Sequence, residues 1–115
     1  DLLFAGATPD VVTILLAHNP QVFIQATEPW HCDLGFAGHT HGGQVQLPFW
    51  GALLTLSRVG RRFSDGVFPN LRPTPELHWN VDTAVVCAGL GMEGGFAPRV
   101  RLLRPPQVML LTLTR

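Results

Sequence analysis

The hydrophobic residues of this chain fall into short runs that predict β-strands. The first run, residues 11–17, is almost continuously apolar, which favours a strand buried on both faces. A second run covers residues 33–37. Between them, Asn19 followed by Pro20 is typical of a capped helix start, here predicted over residues 20–26. Strand, helix and strand together predict a βαβ unit with parallel strands and a right-handed crossover.

The remainder of the chain predicts further strands separated by loops. The strands are expected at residues 44–47, 62–68, 81–88 and 107–113. Residues 69–80 contain three prolines and predict a surface loop or insertion, and the glycine-rich stretch 89–98 predicts another loop. Residues 49–60 fit either a loop or a short helix. The expected fold class is therefore α/β, with a mixed sheet and few short helices.

The charge content is unusual for a globular chain. Charged residues make up 14% of the 115 residues, against a usual value of about 25%. This shortage indicates that a further domain, another subunit or a lipid surface covers part of the protein. The net charge is zero, which argues against a surface that coats nucleic acid. The basic residues are all arginines, and the clusters at 58–62 and 99–104 fit either solvated or ion-paired surface or an anion clamp.

Histidine follows each of the first two predicted strands. His18 comes after the first strand, and His39 and His41 come after the second. Strand ends on a rigid sheet bring side chains to one point, and imidazole is the commonest metal ligand at neutral pH. In an extended chain His39 and His41 face the same side. If turns at Gly38 and Gly42 bend the chain, the two rings diverge and can each serve one ion of a pair about 3.5–4 Å apart.

Charge balance restricts the metal site. Two divalent ions with only imidazole ligands would leave a buried positive charge without compensation, so carboxylates are required. The acidic residues of the chain do not share the strand-end placement of the histidines, and the missing acids are expected before Asp1. Asn19 and Thr40 fit two roles, either orienting the histidines or capping local structure. One zinc ion bound by the three histidines is the alternative site.

Two sequence blocks resemble a known family. Residues 15–20 (LLAHNP) and 38–44 (GHTHGGQ) closely resemble the C-terminal half of calcineurin-like metallophosphoesterases, and the similarity continues through 57–63, 88–91 and 104–107. A bacterial, often membrane-associated branch is most similar, and it includes enzymes that cleave the pyrophosphate of UDP-diacylglucosamine. The resemblance implies that residues 1–115 form the C-terminal portion of one four-layer αββα sandwich.

The resemblance also implies a dinuclear site. In the family pattern His18 and His39 bind one metal and His41 binds the other, with manganese, iron or zinc as the two divalent ions. Gly42 and Gly43 would allow the substrate to approach closely, although simple turn geometry explains them equally well. The general acid and the carboxylate ligands of the family would precede Asp1, so this segment alone is expected to be inactive.

The implied function is hydrolysis of phosphate ester or pyrophosphate bonds by metal-activated water. The expected substrates include lipid-linked ones, and membrane association is expected through the region before Asp1. Two alternatives remain open. One is a non-catalytic metal-binding or interaction module derived from the same fold, and the other is a mononuclear zinc hydrolase.

Overall fold

The chain folds around a four-stranded mixed sheet and a separate hairpin. The computed structural model describes residues 8–24, 30–53, 55, 57–74, 78–92, 94 and 99–114. The strands are β1 (Ile14–Leu16), β2 (Cys32–Ala37), β3 (Gln46–Leu47), β4 (Gly51–Ala52), β5 (Gly66–Phe68) and β6 (Val81–Val86). The large sheet has the order β1-β2-β6-β5, and β3 pairs with β4 as a two-stranded hairpin. The expected mixed sheet with few short helices is confirmed.

The predicted parallel unit at the start of the chain is present. β1 pairs with β2 in parallel, with Leu16 opposite Phe36, and β2 pairs with β6 in parallel. The connecting helix is a 3₁₀ helix, Pro20–Ile24. The amide of Gln21 donates to Oδ1 of Asn19 at 2.9 Å, so Asn19 caps this helix as the sequence predicts. β5 is antiparallel to β6 at the far edge of the sheet.

The main core lies on one face of the large sheet. Ala37 and Ala84 on this face pack in one cluster with Phe23, Phe63 and Trp79. The Phe63 ring meets the Trp79 ring edge to face at a centroid distance of 4.8 Å, a favourable aromatic geometry. Side chains alternate across a strand, so the neighbouring positions point to the opposite face. On that second face Leu16, Phe36 and Val85 line an apolar groove with Met109 and Leu111.

Two predictions about strands are wrong, namely the burial of the first strand and the strand at residues 107–113. Residues 11–17 form only the short edge strand β1, with Ile14 45% and Leu16 76% exposed, instead of a strand buried on both faces. An edge strand contacts a neighbour on one side only, so an apolar sequence alone does not bury it. Residues 107–113 form no strand. They cross the second face of the sheet, where the described residues offer no neighbouring strand to complete a ladder.

Other stretches of the chain differ from the sequence prediction in smaller ways. The predicted strand 62–68 divides into a 3₁₀ helix, Arg61–Phe63, and the strand β5. The described residues of the stretch 49–60 form β4 and irregular structure, which agrees with the loop alternative. In the stretch 69–80 the described residues form no helix or strand, although Trp79 and Asn80 are buried.

The cysteines do not form a disulfide. Cys32 is buried and Cys87 is half-buried, and both are free thiols. Burial raises the pKa of the Cys32 thiol to about 11, with the charge of Asp33 adding to the shift. Cys32 is therefore a packed apolar group and not a thiolate nucleophile.

Among the described residues no helix is long and apolar enough to cross a membrane.

Gly35 is the tightest packing position of the sheet. A Cβ at this position would lie 2.7 Å from Cε1 of Phe23 and 3.1 Å from Cγ1 of Val81, and both of these side chains are fully buried. We therefore expect Gly35→Ala to lower the free energy of unfolding by about 2 kcal/mol through overpacking. Gly38→Ala is the control, since its Cβ would meet only the Cys87 carbonyl oxygen at 3.8 Å. Equal denaturant midpoints for the two variants would contradict the expectation.

Candidate metal centre

His18 and His39 lie together at the ends of two parallel strands. The amide of Ala17 donates to the carbonyl of Phe36, and the amide of Gly38 donates to the carbonyl of His18, at 2.9 and 3.1 Å. These bonds continue the β1–β2 pairing past both strand ends and hold the histidine backbones side by side. As a result, Nε2 of His18 lies 3.1 Å from Nδ1 of His39.

The distance between these two nitrogens suits a shared metal ion. Imidazole nitrogens that each lie about 2.1 Å from one ion are about 3 Å apart when the angle at the metal is near 90–100°. The observed separation of 3.1 Å is that of a hydrogen bond between the two rings, and it is also close to this value. The His18 ring is exposed and the His39 ring is half-buried, so the pair is accessible from solvent. The two side chains therefore fit two adjacent positions in the coordination sphere of one ion.

His41 lies in a tightly wound loop after β2. His39, His41 and Gln44 have positive φ angles of 65°, 48° and 50°, and Gly42 and Gly43 between them are also positive. Positive φ is uncommon outside glycine, and such conformations concentrate at functional sites. Because β2 ends at Ala37, the rule that alternate residues face the same side does not apply here. Among the described residues no third histidine, cysteine or acid completes a metal-sized group with the pair.

The His41 ring faces a second loop. Its Cε1 atom would lie 3.8 Å from a Cβ on Gly91, in the segment that follows β6. Arg101 joins the two loops, because its guanidinium donates to the carbonyls of Ala88, Gly89 and Gly91 at 2.9, 3.0 and 2.5 Å and to that of His41 at 3.4 Å. A guanidinium has five donors and no acceptor, so a set of carbonyls satisfies it well. The histidine loop is thereby fixed to the loop after β6.

A buried ion pair supports the same loop from below. Arg104 forms an ion pair with Asp65, and the two side chains are only 18% and 15% exposed. The arginine side chain lies against Gly42, where a Cβ would be 3.0 Å from Cγ of Arg104. Burial lowers the pKa of Arg104 from its ordinary value, because the charged group loses water. Gly42 thus accommodates the arginine, which is a packing role that turn geometry alone did not predict.

Thr40 and Asn19 bind groups of the surrounding framework. The Thr40 hydroxyl is buried and donates to the carbonyl of Ser64, the residue before Asp65. Oδ1 of Asn19 accepts hydrogen bonds from the Gln21 amide and from the Ser57 hydroxyl at 3.2 Å. These bonds hold the segments that follow His18 and His39. The capping interpretation of Asn19 is therefore the one that its hydrogen bonds support.

Sequence reasoning did not identify the arginine supports of the site. Arg101 and Arg104 belong to a cluster for which the sequence left solvated or ion-paired surface and an anion clamp open. Arg104 is ion-paired but largely buried, and Arg101 binds backbone carbonyls. The only signal available was the arginine before the double proline in the 104–107 block. The remaining histidines, His31 and His78, are exposed, and His31 pairs with Asp82 at 3.0 Å.

Comparison with known proteins identifies two bacterial relatives. An uncharacterized metallophosphoesterase of Bacillus subtilis, YkuE, is 34% identical over 101 residues, which cover 88% of this chain and 30% of the relative. The phosphodiesterase YaeI of Escherichia coli is 49% identical over 39 residues, which cover 33% of this chain and 14% of the relative. No family model and no solved structure matches. The chain thus spans less than a third of the length of either relative.

Proposed function

We propose, from the premise that this chain belongs to the metallophosphoesterase family, that the whole protein hydrolyses phosphate ester or pyrophosphate bonds through a pair of divalent metal ions. The observation that carries the proposal is the pair His18 and His39, whose ring nitrogens lie 3.1 Å apart at the ends of parallel strands. Open α/β sheets bind ligands at this edge.

The histidines have separate roles in the proposed mechanism. His18 and His39 would hold one ion, and His41, on the loop fixed by Arg101, would bind the second. When bound, the two ions would supply an activated water and offset the charge of the phosphate group. This chain would contribute rigidity, because the proposed ligands lie on strand ends and on a loop held by half-buried arginines. Gly43, which has a positive φ of 74°, would allow a substrate to approach the loop backbone.

The other half of the site would come from elsewhere in the protein. A pair of divalent ions needs carboxylate ligands, and within the described residues no acid joins the histidine pair in a metal-sized group. The relatives are more than three times as long as the matched segment. We therefore propose that a preceding region supplies the acids and the general acid, that it completes a four-layer sandwich, and that this segment is inactive alone. The apolar side chains exposed on β1 support such a covering layer.

The substrate class follows from the relatives only in its general form. One relative is a phosphodiesterase and the other a metallophosphoesterase by name. A diester with a good leaving group is thus the first substrate to test, and a pyrophosphate, including a lipid-linked one, is the second. Manganese, iron and zinc all accept imidazole with carboxylate, so availability would determine the ion.

Metal removal tests the proposal. The whole protein should hydrolyse bis-p-nitrophenyl phosphate after addition of manganese or zinc. Dialysis against a chelator should lower this activity by more than about 100-fold, because the metal ions would activate the attacking water. Readdition of the ion should restore it. Two ions per chain in the active protein would support the dinuclear site. One ion per chain with full turnover would favour the mononuclear zinc hydrolase, and metal binding without turnover would favour the non-catalytic module.

A further inference from the structure

The tip of the β3–β4 hairpin carries two exposed aromatic side chains. The hairpin turn spans residues 47–50, and the amide of Trp50 donates to the carbonyl of Leu47 at 3.2 Å. The Phe49 side chain is 104% exposed and that of Trp50 is 75% exposed. Aromatic side chains of this size normally dominate cores and interfaces. At this position they contribute nothing to the core of the described residues.

The backbone at the tip is unfavourable for the residue that it carries. Phe49 has a φ of 68° and follows Pro48, so it occupies the third position of a turn that requires a positive φ there. Glycine or asparagine suits this position, and a bulky residue is an outlier. The phenyl ring therefore does not stabilise the turn, and its presence on the surface needs another explanation.

Arginines surround the base of the same hairpin. Trp50 lines an open depression together with Arg61, Arg62 and Arg72, and its lining contains no acidic residue. The three arginines are exposed. The ion pairs of the described residues involve other groups, Asp82 with His31 and Asp65 with Arg104. The positive charge of this region is thus uncompensated by the described part of the chain, although the net charge of the protein is zero.

We propose that this aromatic–basic surface, formed by Phe49, Trp50, Arg61, Arg62 and Arg72, docks on an anionic lipid bilayer. Aromatic rings favour the membrane–water interface, and arginines near the surface attract anionic headgroups. An aromatic hairpin tip with arginines at the foot of the hairpin matches this arrangement. The Phe49 and Trp50 rings would enter the membrane–water interface while the guanidinium groups stay at headgroup level. A single-stranded nucleic acid also binds aromatic and basic groups, but it stacks bases in a groove, and Phe49 stands at the apex of a turn.

The residues of this surface are separate from the proposed metal ligands. Phe63 and Trp79, next to the arginines, pack on the main core face of the sheet, whereas His18 and His39 follow the ends of β1 and β2. The proposal therefore does not depend on hydrolysis, and its test uses binding. Docking on a bilayer would also be compatible with the proposed lipid-linked substrates.

Vesicle sedimentation of the whole protein tests the proposal. We expect binding to vesicles of phosphatidylcholine mixed with phosphatidylglycerol, weaker binding at high salt, and little binding to phosphatidylcholine alone. Phe49→Gly should weaken binding by about tenfold or more. It should not lower the melting temperature, because glycine favours a positive φ. Phe49→Trp is the matched control at the same position and should retain binding.

Charge variants test the second half of the surface. Arg61→Gln with Arg62→Gln should weaken binding to the mixed vesicles by about 25-fold, at about fivefold for each arginine. Arg99→Gln removes one positive charge from an exposed position outside the depression, and it should leave binding unchanged where each charge lost from the surface weakens it.

Three results would overturn the proposal. The first is absence of vesicle binding by the whole protein, as expected if another part of the chain covers Phe49 and Trp50. The second is equal binding by the Phe49→Gly and wild-type proteins. The third is tighter binding to a single-stranded oligonucleotide than to the vesicles, lost in the same variants. Hydrolysis of a soluble diester by Phe49→Gly should be unchanged, so that loss of docking and failure of the proposed hydrolysis are distinguishable.

Discussion

Replacement of His39 by asparagine is expected to abolish metal-dependent phosphate ester hydrolysis by the whole protein. Removal of a group that only orients a metal ligand lowers metal affinity or activity by about 10–100-fold. Loss of a ligand itself should therefore lower kcat/KM by more than about 100-fold. Asparagine is the appropriate substitute, because His39 has a φ of 65° and asparagine tolerates positive φ better than most residues. The backbone of the loop should thus survive while the imidazole nitrogen is lost.

The control and the metal content make the His39 experiment specific. His78→Asn removes an exposed imidazole elsewhere in the fold and should leave kcat/KM unchanged. His39→Asn should lower the number of ions bound, and its melting temperature should stay close to that of the wild type. His41→Asn should also lower activity but leave the ion held by His18 and His39 in place. Full activity of His39→Asn would rule out its role as a ligand.

The meeting of His18 and His39 is the part of the site that the sequence predicts best. Each histidine follows an apolar run, and parallel strands that are neighbours end at the same edge of a sheet. The β1–β2 register, with Leu16 opposite Phe36, places the two chain ends side by side. The prediction works because it uses only strand order and direction, which apolar patterning and the short connection determine.

The conformation of the loop after β2 could not be predicted from strand order and side-chain alternation. Alternation holds in extended chain, but residues 39–44 wind through several positive φ angles, which no periodicity reveals. Two glycines indicated a bend there without giving its direction. Similarly, the alternating apolar residues 107–113 resemble a strand, yet a strand exists only if a neighbour pairs with it.

Long-range polar contacts are the second limit. Asp65 and Arg104 are far apart in sequence, and nothing local in either segment indicates that they pair beneath Gly42. The charge count predicts only that eight basic and eight acidic residues balance. Which of these charges are buried depends on the packing of the whole domain, so sequence reasoning treated the arginine clusters as surface or as an anion clamp.

The Asp65–Arg104 pair leads to the second large expected effect. Asp65→Asn should lower the free energy of unfolding by about 3 kcal/mol, because it leaves the buried guanidinium without its carboxylate. The matched control is Asp82→Asn. Asp82 pairs with His31 at 3.0 Å, but these two side chains are 57% and 60% exposed. The free energy of unfolding should therefore change by less than about 0.5 kcal/mol.

A second readout separates support of the metal site from general stability. Arg104 lies against Gly42, within the loop that carries His39 and His41, so loss of the ion pair should loosen the ligands. We expect Asp65→Asn to weaken metal binding by about tenfold under conditions in which the protein is still folded, the range seen for groups that orient metal ligands. Gly35→Ala, which is destabilising by packing alone, should leave metal affinity unchanged in the folded protein. Equal metal affinity in Asp65→Asn and the wild type would show that the buried pair stabilises the fold without positioning the histidines.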